Sequence, residues 1–237
     1  NRLLAFGSVS TAFDPSTPVD ARTGRIQDNE DTLGYEGGVK GRSASAKLDY
    51  SASAFLLYNR NIARRNPLYD DPVLDANQTQ PQLVAAGEER FAGFRTEGRY
   101  KLTDTYTVAF KGVHMEALTT KSPALGPEVG KQIARLPQDT ATMQLRYNPK
   151  SGVGFNWGTS VSYVGSYVGN YPDPKRAYLE YPGYGLVSAN LGYSWKNGPR
   201  QLNVGLSARN ALDRDLLTTN ARVGAGREFG FSGRMNF

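Results

Sequence analysis

Cysteine is absent from the 237 residues, and histidine occurs once, at His114. The first absence removes disulfides, thiolate metal ligands and cysteine nucleophiles; the second leaves little for a zinc site or a Ser-His-Asp triad. There is no run of about 18 apolar residues of the kind a spanning helix needs, and mean hydropathy is −0.51. The membrane stays open all the same, because a barrel strand is apolar only at alternate residues and averages like a soluble chain. The net charge of +6 is spread along the chain, with no basic cluster and no recognition helix, so nucleic acid is not an expected partner. A signal-peptide pattern is also missing, since Asn1-Arg2-Leu3-Leu4 runs straight into a strand-like stretch.

What is present is alternation. In the last ten residues Phe229, Phe231, Gly233, Met235 and Phe237 share one parity, and Glu228, Gly230, Ser232, Arg234 and Asn236 share the other. A strand there has one oily and one polar face, which fits either a soluble sandwich or a membrane barrel. The same pattern recurs in Ala46, Leu48, Tyr50, Ala52, Ala54, Leu56 and Tyr58 against Lys47, Asp49, Ser51 and Ser53, and in Phe155, Trp157, Thr159, Val161 and Tyr163 against Asn156, Ser160 and Ser162. In all, about ten strands are predicted.

Their connections decide between the two architectures. Polar loops rich in Pro, Gly, Asp and Asn at residues 14–31, 61–89, 118–136, 168–183 and 210–227 alternate strictly with short turns at 41–45, 103–104, 148–152 and 197–199. Nothing in a sandwich sends every long loop to one end, whereas outer-membrane barrels have long outside loops and short periplasmic turns. The chain therefore reads as an all-β, antiparallel transmembrane barrel wall. Glu36, Lys40, Arg95, Glu97, Arg99 and Arg146 fall on the polar parity and are expected to face the lumen. Tyr50, Tyr58, Tyr100, Tyr147, Tyr193 and Trp195 lie near strand ends, where aromatic girdles sit.

Four segments carry a resemblance. They are Tyr35-Glu36-Gly37-Gly38-Val39-Lys40; Gly87 to Glu97 (GEERFAGFRTE); Leu136-Pro137-Gln138-Asp139-Thr140-Ala141; and Asn203 to Asp213 (NVGLSARNALD). In order and spacing they resemble the C-terminal half of the barrel in TonB-dependent outer-membrane receptors. Leucines at Leu216 and Leu217 stand where that family usually has a tyrosine, and Ser232 stands where a glycine is common in the terminal strand.

The resemblance implies about twenty-two strands around a plug, so residues 1–237 are expected to be the last portion of a larger barrel, with the plug and earlier strands supplied elsewhere. It also implies active import across the cell outer membrane of a scarce small-molecule ligand, a ferric siderophore above all, energised by the TonB-ExbB-ExbD complex acting on the plug. Outer-membrane lipid and the barrel-assembly machinery are the other expected partners, the latter reading Phe231, Met235 and Phe237. No cofactor or metal site is expected, because iron would arrive inside its chelator, and no enzyme activity is expected.

In the outside loops Arg60, Arg64, Arg65, Tyr69, Tyr171, Arg176, Tyr178 and Tyr181 are the candidate ligand contacts, since guanidinium and phenol groups suit anionic, oxygen-rich chelates. Two alternatives compete. A self-contained ten-stranded outer-membrane protease resembling the omptins needs acidic and Asp-His pairs at the rim, for which Asp70, Asp71 and His114 are the only material. Strand parity turns His114 toward lipid, and no omptin-like motif surrounds it. A passive porin or adhesin is disfavoured by the resemblance and would show as ungated conductance.

Overall fold

The computed structural model describes residues 2–16, 19–123, 129–170, 179–218 and 222–236. Ten strands form one sheet in chain order: β1 (Arg2–Asp14), β2 (Glu30–Arg42), β3 (Leu48–Arg65), β4 (Leu83–Lys101), β5 (Tyr106–Lys121), β6 (Asp139–Tyr147), β7 (Gly154–Val164), β10 (Tyr184–Asn197), β11 (Arg200–Arg209) and β12 (Glu228–Asn236). Within the connection from β7 to β10, β8 (Tyr167–Asn170) and β9 (Leu179–Tyr181) form a separate two-stranded sheet. Among the described residues there is no helix. The large sheet is antiparallel and open, with β1 and β12 each paired to one neighbour.

One register holds across it. Leu3, Gly41, Tyr50, Gly98, Phe110, Met143, Val161 and Val187 stand opposite one another from β1 to β10. The adjacent row reads Leu4, Lys40, Ser51, Glu97, Lys111, Thr142, Ser162 and Leu186. A slip of one residue in any strand would put an oily row onto the polar face, so the alternation itself pins the register. Gly98 serves the oily row: a Cβ there would sit 2.5 Å from the Phe110 ring, which lies across the glycine.

Among the described residues, nothing covers the oily face. Phe94, Met143, Phe155, Leu206, Phe229 and Phe231 are exposed, the inverse of a soluble domain and the expected state of a lipid-facing surface. At the short-turn end of this face Tyr106, Tyr147 and Trp157 form a ring cluster with centroids 5.0 to 6.3 Å apart, and Phe155 meets Tyr193 edge-on at 4.9 Å. Amphipathic rings at one level mark the inner girdle.

The long connections lie at one end and the short turns at the other, as the sequence predicts. Two extents differ. β3 runs on to Arg65 and β4 begins at Leu83, which shortens the expected 61–89 loop to 66–82. The added rungs set Ile62 against Gly87, Ala63 against Ala85, Arg64 against Val84 and Arg65 against Leu83, with ion pairs from Arg64 to Glu89 and from Glu88 to Lys121 alongside. Their apolar residues, Ile62-Ala63 and Leu83 to Ala86, are consecutive and lack the alternation that makes a strand visible in sequence. Asn61, with φ 59°, bulges the ladder at the point where it leaves the oily band. Ala46, expected within β3, instead belongs to the turn before it, with φ 54°.

Candidate functional site

The six residues expected in the lumen all lie on the polar face, and five of them gather on β2 and β4. Arg95 bridges to Glu36 at 2.5 Å and donates from Nε to Ser53 Oγ at 3.1 Å. Lys40 and Glu97 stand in one row with Lys111, so charge alternates in sign along it. Arg42 and Asp49 pair across the neighbouring rung, where Arg99 follows. Lys40, Arg42, Asp49, Glu97, Arg99 and Lys111, with Thr142, Gln144 and Ser160, line a trough of about 1100 Å³.

Beyond β5 the polar face changes character. Thr140, Thr142, Gln144, Asn156, Ser160, Ser162, Ser188, Asn190, Ser194, Asn203 and Ser207 carry no charge. Among the described polar-face positions of β6, β7, β10 and β11, charge occurs only at Arg146, Lys196 and Arg209, each last or next to last in its strand. Three glycines keep this wall low. A Cβ on Gly158 would come within 2.8 Å of Asn190 Oδ1, on Gly192 within 2.6 Å of Asn156 Oδ1, and on Gly205 within 2.9 Å of Ser232 Oγ. Each is overlain by a neighbour's short polar group. A second hollow, about 480 Å³, opens here between Ser188, Asn190, Ser207, the strand-end charges Arg209 and Glu228, and the loop residues Leu216 and Gly224.

The long loops add two differently built clusters. Loops 15–29 and 66–82 are joined through Arg22, which donates to Asp75 Oδ2 at 2.9 Å, reaches Asp70, and lies 3.9 Å above the centre of the Tyr69 ring. The Asp75 side chain is fully enclosed and also accepts from the backbone N–H of Asp70, Thr79 and Gln80. Burial pushes the Asp75 carboxyl up, but those three N–H donors and Arg22 outweigh it and hold it below the usual carboxylate value. Asp20 adds a second tie by accepting from the Gln82 N–H at 3.0 Å. On the other side, Tyr181 stacks on Tyr167 with centroids 5.4 Å apart, and Tyr167 donates to the Leu217 carbonyl. Gly169 is obligatory beneath that stack, because a Cβ would lie 1.6 Å from the Tyr181 ring.

These contacts sort the loop candidates. Arg64 faces the lumen side, paired with Glu89. Arg60 stands in the oily-parity row with Asp31 and Glu88, above Tyr58, and so points away from the lumen; Arg65 is exposed at the strand end. Tyr69 is engaged by Arg22 and Tyr181 by Tyr167. Tyr171, Arg176, Tyr178 and, at the chain end, Phe237 lie outside the described residues. Phe231 and Met235 are on the outward face of β12.

The sequence reading missed Arg22, Asp75 and Tyr167. Asp75 had a local signal, an aspartate four and five residues before the N–H groups it caps. Arg22 had none, because its partner is 53 residues away.

The material for a protease is not assembled among the described residues. His114 Nδ1 lies 2.8 Å from Asp139 Oδ1, but the pair is on the outward face, with the imidazole stacked on Phe94. Asp70 is held by Arg22, and Asp71 caps the N–H groups of Val73 and Leu74.

Known proteins place this wall in a context. A family model described as TonB dependent receptor-like, beta-barrel matches residues 1–211. The metal-pseudopaline receptor of Pseudomonas aeruginosa is 26% identical over 211 residues, which is 88% of this chain and 27% of that receptor. The chain thus spans about a quarter of the length of the curated relative. Among solved structures, the ferric preacinetobactin receptor of Acinetobacter baumannii superposes with a TM-score of 0.77 at 18% identity, over 99% of this chain and 34% of that one. The ferripyoverdine receptor of Pseudomonas aeruginosa does so with a TM-score of 0.76 at 19% identity, over 98% and 30%.

Proposed function

Because the chain belongs to the TonB dependent receptor-like β-barrel family of the cell outer membrane, we propose that it forms the C-terminal part of the wall of an active-transport receptor for a metal chelate, a ferric siderophore before others. The observation that carries this reading is the single register over ten strands, with an uncovered oily face on one side and a wet, charged face on the other. An edge strand with unpaired N–H and C=O groups is very costly in hydrocarbon. In the membrane, then, β1 and β12 pair with further strands of the same barrel, and a plug fills the lumen against Lys40, Glu97, Arg99 and Lys111.

The outer loops meet the ligand first. Arg64 and Arg65, with whatever Tyr171, Arg176 and Tyr178 contribute, supply cationic and phenolic donors for an anionic chelate. Entry then requires energy relayed from the TonB-ExbB-ExbD complex through the plug. The barrel-assembly machinery reads the outward aromatic stripe of β12. The chain itself supplies no cofactor and no catalysis.

The test uses the complete receptor in cells that lack other iron receptors. Radioactive iron presented as hydroxamate, catecholate and carboxylate chelates should be taken up in at least one case, and uptake should stop when TonB is deleted while surface binding persists. Uptake that survives TonB deletion would instead indicate a passive pore.

A further inference from the structure

The polar face is divided, and the division bears on where a ligand travels once it leaves the loops. Resting on the transport reading above, we infer that a multiply anionic chelate passes along the uncharged wall of β6, β7, β10 and β11 and not along the charged wall of β2 to β5. Passage needs contacts good enough to admit a ligand and weak enough to release it.

The charged wall fails the second condition. Lys40, Arg99 and Lys111 would make charge-assisted hydrogen bonds to carboxylate, catecholate or hydroxamate oxygens, roughly twice as strong as neutral ones. The acids interleaved with them, Glu36, Asp49 and Glu97, would repel the same ligand at the next rung. An alternating lattice of this kind suits a partner that stays put.

The uncharged wall meets both conditions. Its hydroxyl and amide groups offer donors at most rungs that exchange readily with water, and the charges on it, Arg146, Lys196 and Arg209, stand only at strand ends. Gly158, Gly192 and Gly205 replace side chains by hydrogen here, as Gly34, Gly38 and Gly93 do on the charged wall, so the two walls differ in charge and not in depth. Ser188 and Ser207 line the hollow that opens toward the loop side, beside Leu216 and Gly224 of the last long loop, and its two charged residues, Arg209 and Glu228, are of opposite sign and stand opposite each other on β11 and β12. That hollow is the entrance to the uncharged wall.

The test narrows each wall in turn in the complete receptor. Ser188→Trp and Ser207→Trp should leave surface binding of the transported chelate within about twofold of the parent and cut its uptake at least tenfold. Ser51→Trp, in the row with Lys40 and Glu97, should leave both within about twofold. Should a tryptophan variant fail to reach the membrane, Ser188→Cys, Ser207→Cys and Ser51→Cys, modified after folding by a bulky thiol reagent, carry the same comparison. These 237 residues contain no competing cysteine. Blockage at Ser51 alone, equal blockage at all three, or no blockage at any would overturn the inference. If the unmodified receptor takes up no chelate, the transport reading itself fails, and that is seen before any variant is made.

Discussion

The two halves of the wall share one oily face and differ in everything that touches water. On β2 to β5 the wet side is an ion lattice, and the loops above it are clasped by Arg22 between Asp70 and Asp75. On β6 to β11 the wet side is mostly hydroxyl and amide, with charge only at strand ends, and the loops above it are held by the Tyr167–Tyr181 stack and one phenol hydrogen bond. The lipid face is constrained by the bilayer in both halves, so it is uniform. The wet face is constrained only by what lies against it, and its division records two kinds of neighbour.

The largest expected effect tests the shared part. Leu56→Arg in the charged half and Val161→Arg in the uncharged half each place a cation on the outward face inside the oily band. Each should cost about 2–4 kcal/mol near the midplane, read as a shift in urea unfolding from lipid vesicles. Unequal costs would mean that the halves differ in membrane exposure as well.

A second effect separates the loop clusters by pH. The Asp75 carboxyl is held below its ordinary value, about 3.9 in the unfolded chain. Its contribution to the clasp is therefore complete above that value and is lost as pH falls through the lower folded value. Hydrogen exchange in loops 15–29 and 66–82 should stay slow at pH 5 and rise below about 3.9, while the Tyr167–Tyr181 hairpin is unchanged. Asp75→Asn should release the first two loops to protease at neutral pH. Simultaneous opening of both clusters would remove the contrast.

A smaller effect concerns the wet rungs. Glu36→Gln breaks the half-exposed pair with Arg95 and should cost about 0.2–1 kcal/mol, a cost reduced by salt. Ser162→Ala, which removes one contact to Thr142 at 3.3 Å, should stay within about 0.5 kcal/mol and show no salt dependence.

How much of this was legible beforehand follows from what each feature depends on. Strand number, order and facing rest on a period of two, which Phe155 to Tyr163 or Leu48 to Tyr58 display directly. The lumen residues follow from the same parity, which is why Glu36, Lys40, Arg95, Glu97, Arg99 and Arg146 all fall on one face. The extensions of β3 and β4 were hidden because their apolar residues, Ile62-Ala63 and Leu83 to Ala86, run consecutively and show no period of two. The clasp was hidden because Arg22 and Asp75 meet only through loop packing. Tyr69 and Tyr181 looked like ligand contacts because composition reveals a phenol but not the ring or guanidinium already against it.

The central claim is that successive residues of each strand look alternately into lipid and into water. It is tested most directly by placing a nitroxide spin label on single cysteines at positions 155 to 163 of β7 in the complete receptor in vesicles. Collision with oxygen should peak at Phe155, Trp157, Thr159, Val161 and Tyr163, and collision with a water-soluble nickel chelate at Asn156, Gly158, Ser160 and Ser162. A flat profile, or one with the two sets exchanged, would contradict the account.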